Sequence, residues 1–348
     1  MTGSPRSDGI QALRALACLF VLFQHATFFA AFARDVDYHP FLAINFGRAG
    51  VSLFFVISGF VMAGCMNEGK TFLLRRLARI YPPFWISIAL SFAIASVAAT
   101  RWHIDWPSVL LVPVTAVNNT YGIPYWTLCY EVAFYVVVYA LVLAGARRDR
   151  VLIACMIWIL AIVLADAYHA FGYVDDNVAF AGIAQPGKWI LLTPYPLFFI
   201  AGFVAAMLKT EVLKRISPTS LLIGAVALYA FSSSLKLGSS VPMFVVQACA
   251  FACIVLAVCE KKIHRLIGWC GDISYGTYLM HLPIIIAIAQ AFHARSGQYR
   301  LSIIWITLAL AGSIGGMLFG YAEYQFHGRV IKPLFRRSGQ VQREKARV

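Results

Sequence analysis

The sequence predicts an all-α integral membrane protein, a bundle of about ten transmembrane helices with both termini in the cytoplasm. Of its 348 residues, 61% are hydrophobic and 13% are charged, whereas about 25% are charged in an average soluble domain. Apolar runs of about 18 to 24 residues recur between short polar breaks, and each can cross a hydrocarbon core of about 30 Å as a helix. Lipid admits only helices and closed barrels, and these runs are too long and too uniformly apolar for barrel strands.

The apolar runs define the spans, and the basic residues orient them. The net charge is +14, and 22 of the 29 Lys and Arg residues fall on the side of the N-terminus, an asymmetry typical of cytoplasmic loops. The basic excess is therefore topological, with a contribution from membrane lipids whose headgroups are anionic, and we expect no nucleic-acid partner. The predicted spans are about 10–33, 48–66, 80–100, 125–145, 151–170, 189–208, 218–236, 242–259, 267–292 and 301–323.

One membrane domain accounts for most of the chain. We expect residues 1–9 to form a cytoplasmic N-terminus, 10–323 the transmembrane domain and 324–348 a basic cytoplasmic tail. No long polar stretch predicts a second soluble domain, so the membrane domain is expected to carry the function alone. The outward-facing connection from Arg101 to Tyr125 mixes an apolar patch with three prolines and several aromatic residues. It predicts a segment that lies at the interface or dips into the membrane, with Trp102, Trp106, Tyr121 and Tyr125 at headgroup level.

The eight cysteines lie in or at the edge of apolar spans. Only Cys249 and Cys253, four residues apart, have a spacing that resembles a metal-ligand pair. We therefore interpret the cysteines as small packing residues and expect no metal site.

Arg14 and His25 are the most informative polar residues of the first span. They are eleven residues apart, or about three helical turns, which places them on one face and about 16 Å apart along the axis. With Arg14 near the cytoplasmic surface, His25 lies beyond the bilayer midplane. An ionisable side chain there is costly unless it faces a protein-lined or wet interior, so His25 is a functional candidate. The alternative is a neutral histidine hydrogen-bonded between helices.

Arg75, Arg76 and Arg79 cluster at the cytoplasmic start of the third span, in KTFLLRRLARIY. The planar guanidinium group matches phosphate, and Arg75 and Arg79, four residues apart, share one helical face. The cluster predicts a site for a phosphate-bearing cytosolic ligand. Charge that merely sets the topology explains it equally well.

Polar residues also interrupt the second and fourth spans. In FFVISGF, we interpret Ser58 and Gly59 as a packing or bending site rather than a nucleophile. In PYWTLCYE, Glu131 lies in an apolar run and shares a stripe of four-residue spacing with Thr127 and Tyr135. A carboxylate in that position is protonated, paired or in contact with water.

The last two spans carry further candidates. Ser274, Tyr278 and His281 share one helical face, and Pro283 is expected to break or kink the helix beyond them. Structural hydrogen bonding between helices is the alternative for this stripe. Glu323 lies near the predicted cytoplasmic end of the last span, where a solvated helix end is the alternative.

Five sequence features, taken in order, resemble acyltransferase family 3 over a region from Ile10 to about Leu334. They are Arg14 and His25 with ten residues between them, FFVISGF, RRLARIYP, PYWTLCYE and GDISYGTYLMHLP. The resemblance implies a ten-helix protein, expected in the bacterial plasma membrane, that moves an acyl group from cytosolic acyl-CoA to an extracytoplasmic acceptor. The group is usually acetyl, and the acceptor is a glycan, lipopolysaccharide, lipid-linked saccharide or related molecule. Acyl-CoA is then a co-substrate, and no permanently bound cofactor is implied.

The resemblance assigns roles residue by residue. Arg14 and His25 match the signature arginine and catalytic histidine, and Arg75, Arg76 and Arg79 match the cytoplasmic arginine cluster. Glu323 is a looser match to the acidic residue of the last helix, and Thr127 stands where a serine is commoner but retains the hydroxyl. The residues expected to support the site or contact the acceptor are Trp126, Glu131, Ser274, Tyr278 and His281. Some relatives carry an esterase-like soluble domain; without one, the chain is expected either to transfer directly or to hand over to a separate extracytoplasmic partner.

These residues suggest one mechanism and leave two other classes open. Histidine, with an unperturbed pKa near 6.5, can activate a hydroxyl as general base, typically worth about 10² to 10⁴ in rate. The arginines would hold the phosphates of CoA while the pantetheine arm extends toward His25, which acts as the base or is itself briefly acylated. A proton-coupled transporter or flippase of a saccharide or small solute would instead use buried Arg, His and Glu as a relay. Acyl-CoA dependence separates these two classes, and a structural scaffold is the third.

Overall fold

The computed structural model describes residues 7–42, 45–97, 104–112, 122–167, 187–234, 241–295 and 298–335. Within these ranges the regular structure is helical and contains no strand, which confirms the predicted all-α class. The helices are α1 Asp8–Ala33, α2 Phe46–Cys65, α3 Phe72–Val97, the single turn α4 Trp106–Val109, α5 Trp126–Leu143, α6 Arg148–Ala167, α7 Pro196–Arg215, α8 Pro218–Ser234, α9 Val241–Val258, α10 Arg265–His293 and α11 Leu301–Phe326.

Every predicted span corresponds to one of these helices. In the described part of the chain, eight stretches are long and apolar enough to cross a membrane. One of them, Phe46–Val97, contains both α2 and α3, and α8 is a shorter apolar helix. The protein is therefore an integral membrane bundle, as predicted.

The chain reverses direction between α2 and α3. Gly69 lies in this turn with φ of 62°, a left-handed conformation that glycine adopts without steric cost. Beyond it, the ring of Phe72 contacts Tyr135 and the ring of Phe84 contacts Tyr125, so α3 runs antiparallel to α5. The reversal brings the arginines at the start of α3 next to the end of α2.

One end of the bundle collects the start of α1 and the end of α11, and we call it the Arg14 end. Here Ser7 caps α1 by accepting from the amide of Ile10, and its hydroxyl donates to the carbonyl of Cys259 at 2.5 Å. Ion pairs between neighbouring helices lie at this end too, among them Arg148 of α6 with Glu211 of α7 at 2.6 Å. The Arg14 end is the one that the basic residues predict to face the cytosol.

Two helices extend beyond the predicted spans. α3 begins at Phe72 rather than near residue 80, so its arginines lie on the first turns of the helix and not before it. α11 continues through a π-helical turn, His327–Ile331, and the helix runs on to Phe335. The physical reason is that hydropathy marks where lipid contact ends, whereas a helix continues as long as its backbone hydrogen bonds are made.

Glycines allow the closest contacts between helices. A Cβ added at Gly202 of α7 would lie 1.9 Å from the carbonyl oxygen of Val56 on α2, and one at Gly59 would lie 2.0 Å from that of Phe199. α10 and α11 approach in the same way, because a Cβ at Gly320 would lie 2.3 Å from the carbonyl oxygen of Ile273. Small residues at helix crossings are the common means of close packing in membranes.

Replacing Gly202 with alanine is expected to destabilise the bundle. The new methyl group collides with the backbone of α2, and overpacking of this kind costs about 1 to 3 kcal/mol. Gly224→Ala on α8 is the matched control, because a Cβ there meets no atom within 4 Å. The measurement is the temperature at which the detergent-purified protein leaves the monodisperse gel-filtration peak. Equal behaviour of the two variants would show that the α2–α7 contact is not tight.

Candidate active site

A cavity of about 120 Å³ lies inside the bundle and begins at the Arg14 end. Helices α1, α2, α3, α5 and α10 all contribute to its lining. The polar residues of the lining are Arg14, Ser58, Arg76, Arg79, Thr127, Glu131, Tyr135, Tyr275 and Tyr278. Three guanidinium groups therefore line one cavity, and guanidinium is the side-chain group best matched to an anion such as phosphate.

The arginines of α3 line the cavity, contact a nearby carboxylate, or do both. Arg76 donates to Glu68 and lies 5.5 Å from the centre of the Phe72 ring, while its Nε has no hydrogen-bond partner within the described residues. Arg75, which is 39% exposed, approaches the same carboxylate at 3.7 Å and is not part of the lining. The face that points into the cavity therefore carries Arg76 and Arg79, three residues apart, and not the predicted pair of Arg75 and Arg79.

Glu131 accepts hydrogen bonds from two hydroxyl groups of the lining. Tyr135 donates to it at 2.5 Å and Ser58 at 3.4 Å. The Ser58 hydroxyl is therefore joined to a carboxylate inside the site, although its neighbour Gly59 serves packing as predicted. Glu131 thus has its partners within the bundle, as an intramembrane carboxylate requires.

Glu323 is buried close to the same arginines. Its side chain is 5% exposed and interacts electrostatically with Arg79 and Arg14. Neither carboxylate oxygen has a hydrogen-bond partner within the described residues. The alternative of a solvated helix end is therefore wrong, because α11 continues for several residues beyond Glu323 and α10 covers this face.

Tyr278 lies at the far end of the cavity from the α3 arginines. Its hydroxyl is 2.9 Å from that of Thr127 and donates to the carbonyl of Pro124 at 3.2 Å. The ring centres of Tyr278 and His281 are 5.8 Å apart. Tyr278 thus both lines the cavity and contacts His281.

His25 and His281 form a hydrogen-bonded pair between α1 and α10. Nδ1 of His25 lies 2.8 Å from Nε2 of His281, and Nδ1 of His281 lies 3.2 Å from the carbonyl oxygen of Thr277. His281 is 0% exposed, whereas His25 is partly exposed and is not part of the cavity lining. The interhelical bond considered as the alternative for His25 exists, and it occupies one ring nitrogen.

The structure places three other predicted residues away from the cavity. Ser274 is buried and donates to the carbonyl of Gly271 at 2.7 Å. Trp126 packs in an aromatic cluster with Tyr130 and Tyr195. Tyr125, predicted at headgroup level, is only 2% exposed, because its ring packs under Phe84 and its hydroxyl accepts from Ser108.

Of the other aromatic residues in the Arg101 to Tyr125 connection, Trp106 is 66% exposed, while Trp102 and Tyr121 lie outside the described residues.

Sequence reasoning missed Tyr275, which lines the cavity and donates to the carbonyl of Ile80 at 3.0 Å. Its signal was the three-residue spacing to Tyr278, which places both rings on neighbouring positions of one helix face.

The site has the groups for anion binding and proton transfer. Guanidinium groups at one end are suited to phosphate, and an imidazole pair at the other can accept a proton. Within the described ranges, no three His, Cys, Asp or Glu side chains are grouped so as to hold a metal ion.

The fold and this internal polar site define an integral membrane protein that keeps a polar cavity within its helical bundle. The sequence profile of the acyltransferase 3 family, described as an acyltransferase domain, matches residues 7–322. The chain belongs to this family and is a membrane acyltransferase, which confirms the resemblance found in its motifs.

Two curated relatives extend over most of the chain. It is 26% identical to the acyltransferase MdmB of Streptomyces mycarofaciens, over 92% of this chain and 90% of that protein. It is 28% identical to the exopolysaccharide production protein ExoZ of Rhizobium meliloti (strain 1021), over 84% of this chain and 90% of that protein. No solved structure matches the chain significantly.

Proposed function

We propose that this acyltransferase moves an acetyl group from cytosolic acetyl-CoA to a hydroxyl of an extracytoplasmic glycan or lipid-linked saccharide, with His25 as general base. The observation that carries the proposal is the arrangement of the site along the bundle. A cavity lined by three arginines begins at the Arg14 end and ends at Tyr278, whose ring contacts the His281–His25 pair.

The donor occupies the arginine-lined part of the site. Arg14, Arg76 and Arg79 form charge-assisted hydrogen bonds to the phosphates of CoA, and these bonds are stronger in a low-dielectric interior than in water. Within the described residues, Arg76 forms an ion pair with Glu68, and no such direct pair occupies the guanidinium groups of Arg14 and Arg79, which supports their assignment to the donor phosphates. An extended pantetheine arm fits the distance of about 16 Å that separates Arg14 from His25 along α1.

His25 activates the acceptor at the other end of that path. Its ring accepts the proton of the acceptor hydroxyl as the oxygen attacks the thioester carbonyl carbon. The C–S bond then breaks, and the CoA thiolate leaves with the proton returned from His25. The products are the ester and free CoA thiol, and His25 is restored to its neutral form.

The acceptor approaches from the end opposite Arg14. Two features support a saccharide: one relative is named for exopolysaccharide production, and the exposed indole of Trp106 offers an apolar face for a sugar ring. Both relatives come from bacteria, which supports a bacterial plasma membrane as the proposed location. Direct transfer to the saccharide requires no further protein. In the alternative route, a separate extracytoplasmic transferase would receive the acetyl group instead of the saccharide.

The test uses purified protein in lipid nanodiscs, incubated with acetyl-CoA and a saccharide extract of the cell envelope. We expect acceptor-dependent release of free thiol and a saccharide whose mass increases by one acetyl group. Comparison of envelope glycans from cells with and without the gene identifies the acceptor. If the protein moves solute in proteoliposomes without acetyl-CoA and releases no thiol, it is instead a transporter.

A further inference from the structure

We propose that His281 is a positioning residue that fixes the tautomer of His25 and so makes Nε2 of His25 the atom that accepts the proton. The inference rests on the proposed role of His25 and assigns the second histidine a function of its own. Its basis is the chain of hydrogen bonds from the Thr277 carbonyl through His281 to His25.

The tautomers of His281 and His25 follow from which of their neighbouring groups can donate a hydrogen bond. A backbone carbonyl only accepts, so the contact with Thr277 places a hydrogen on Nδ1 of His281. A neutral imidazole carries one N–H, which leaves Nε2 of His281 as an acceptor. The 2.8 Å contact to that nitrogen then requires the hydrogen of His25 to be on Nδ1. The lone pair of His25 consequently resides on Nε2, the nitrogen that points away from His281.

Helix packing holds the carbonyl of Thr277, the first group in this series of hydrogen bonds, in place. The helix containing Thr277 lies directly against α11, because a Cβ added at Gly316 would be 3.0 Å from the Thr277 carbonyl oxygen. The side chain of Thr277 donates to Ile273 at 3.0 Å and is directed away from His281. Since His281 is 0% exposed, it reaches no substrate and acts only through His25.

A neutral partner suits the membrane interior better than a carboxylate. A carboxylate beside His25 would have to be desolvated as a charge, which is expensive at this depth. Imidazole carries no charge before the reaction. When His25 takes up the acceptor proton, its Nδ1–H bond to His281 becomes charge-assisted and stabilises the imidazolium. The pair therefore orients the base in the resting state and supports it in the protonated one.

The kinetic test compares three variants in nanodiscs with acetyl-CoA. His281→Ala should lower kcat about 10²- to 10⁴-fold, the range that general-base catalysis supplies, with KM for acetyl-CoA changed less than about twofold because the arginines are untouched. The kcat of His281→Gln should be at least about tenfold higher than that of His281→Ala. The side-chain carbonyl oxygen of the glutamine can accept a hydrogen bond near the position that Nε2 of His281 occupies in the wild-type protein. His293→Ala, a partly exposed histidine near the end of the same helix, is the control and should retain full activity.

A second measurement reads the tautomer directly and needs no turnover. Nitrogen-15 NMR of histidine-labelled protein, with the His25 signals assigned by their loss in His25→Gln, should show Nδ1 protonated and Nε2 unprotonated. His281→Ala should shift His25 toward the Nε2–H form. An Nε2–H form in the wild-type protein, or full kcat in a folded His281→Ala variant, overturns the inference. Normal transfer by His25→Ala would instead refute the proposed function, so the two failures are distinct.

Discussion

His25→Ala should lower acetyl transfer about 10²- to 10⁴-fold, because the acceptor hydroxyl then loses its base. Binding of acetyl-CoA should remain nearly unchanged, since the arginines that we assign to its phosphates line the cavity and His25 lies outside that lining. The measurement is the rate of thiol release with acceptor present, together with acetyl-CoA binding by isothermal titration calorimetry. A loss of rate without a loss of binding separates catalysis from donor recognition.

The matched control for this variant is His39→Ala. His39 lies in the connection after α1, outside the membrane spans, and its hydrogen bonds to Asp37 lower the pKa of that carboxyl. Its removal should leave the rate within about twofold. If correctly inserted His25→Ala transfers acetyl groups at the wild-type rate, His25 is not the base and the proposed mechanism is wrong.

Arg79→Gln should raise the KM for acetyl-CoA about 10- to 10²-fold. A hydrogen bond to a charged group contributes about 1.5 to 3 kcal/mol, and each 1.4 kcal/mol corresponds to a factor of ten. Arg75→Gln is the control, because Arg75 lies outside the cavity lining and shares Glu68 with Arg76. The Arg75–Glu68 pair is partly exposed, and ion pairs near the surface contribute about 0 to 1 kcal/mol, so this change should raise KM less than about fivefold.

A donor without phosphates makes the arginine prediction more specific. Acetyl-pantetheine retains the thioester and the arm but carries no phosphate, so its KM should be the same for the wild-type protein and Arg79→Gln. An equal effect of Arg79→Gln on both donors would mean that Arg79 shapes the cavity and does not bind phosphate. If Arg75→Gln has the larger effect, the CoA phosphates lie on the outer face of α3 and not in the cavity.

Hydropathy was sufficient to predict the helices, because a span surrounded by lipid is recognisable from length and composition alone. It was insufficient at the ends of α3 and α11, where backbone hydrogen bonds continue into polar sequence. The burial of Glu323 was missed for the same reason. Its position near a predicted membrane boundary indicated solvent, but the extended α11 and its neighbours bury the side chain.

The site was predictable in its residue types and less so in its geometry. Helical spacing allowed Arg79 to share a face with either Arg75 or Arg76, and only the packing of α3 against its neighbours selects Arg76. The bond between His25 and His281 joins residues 256 positions apart. No local pattern encodes such a contact, although each histidine had been identified separately as a polar residue within a span.

The most direct test of the central claim, transfer across the membrane from a cytosolic donor, uses sealed vesicles of opposite orientation and acetyl-CoA labelled in the acetyl group. Inverted vesicles, with the cytosolic face outside, should incorporate label into enclosed saccharide. Right-side-out vesicles should incorporate it only after permeabilisation, because CoA does not cross the bilayer. Inverted vesicles that carry His25→Ala should remain unlabelled. Equal labelling of intact vesicles in both orientations, or undiminished labelling with His25→Ala, would contradict the account.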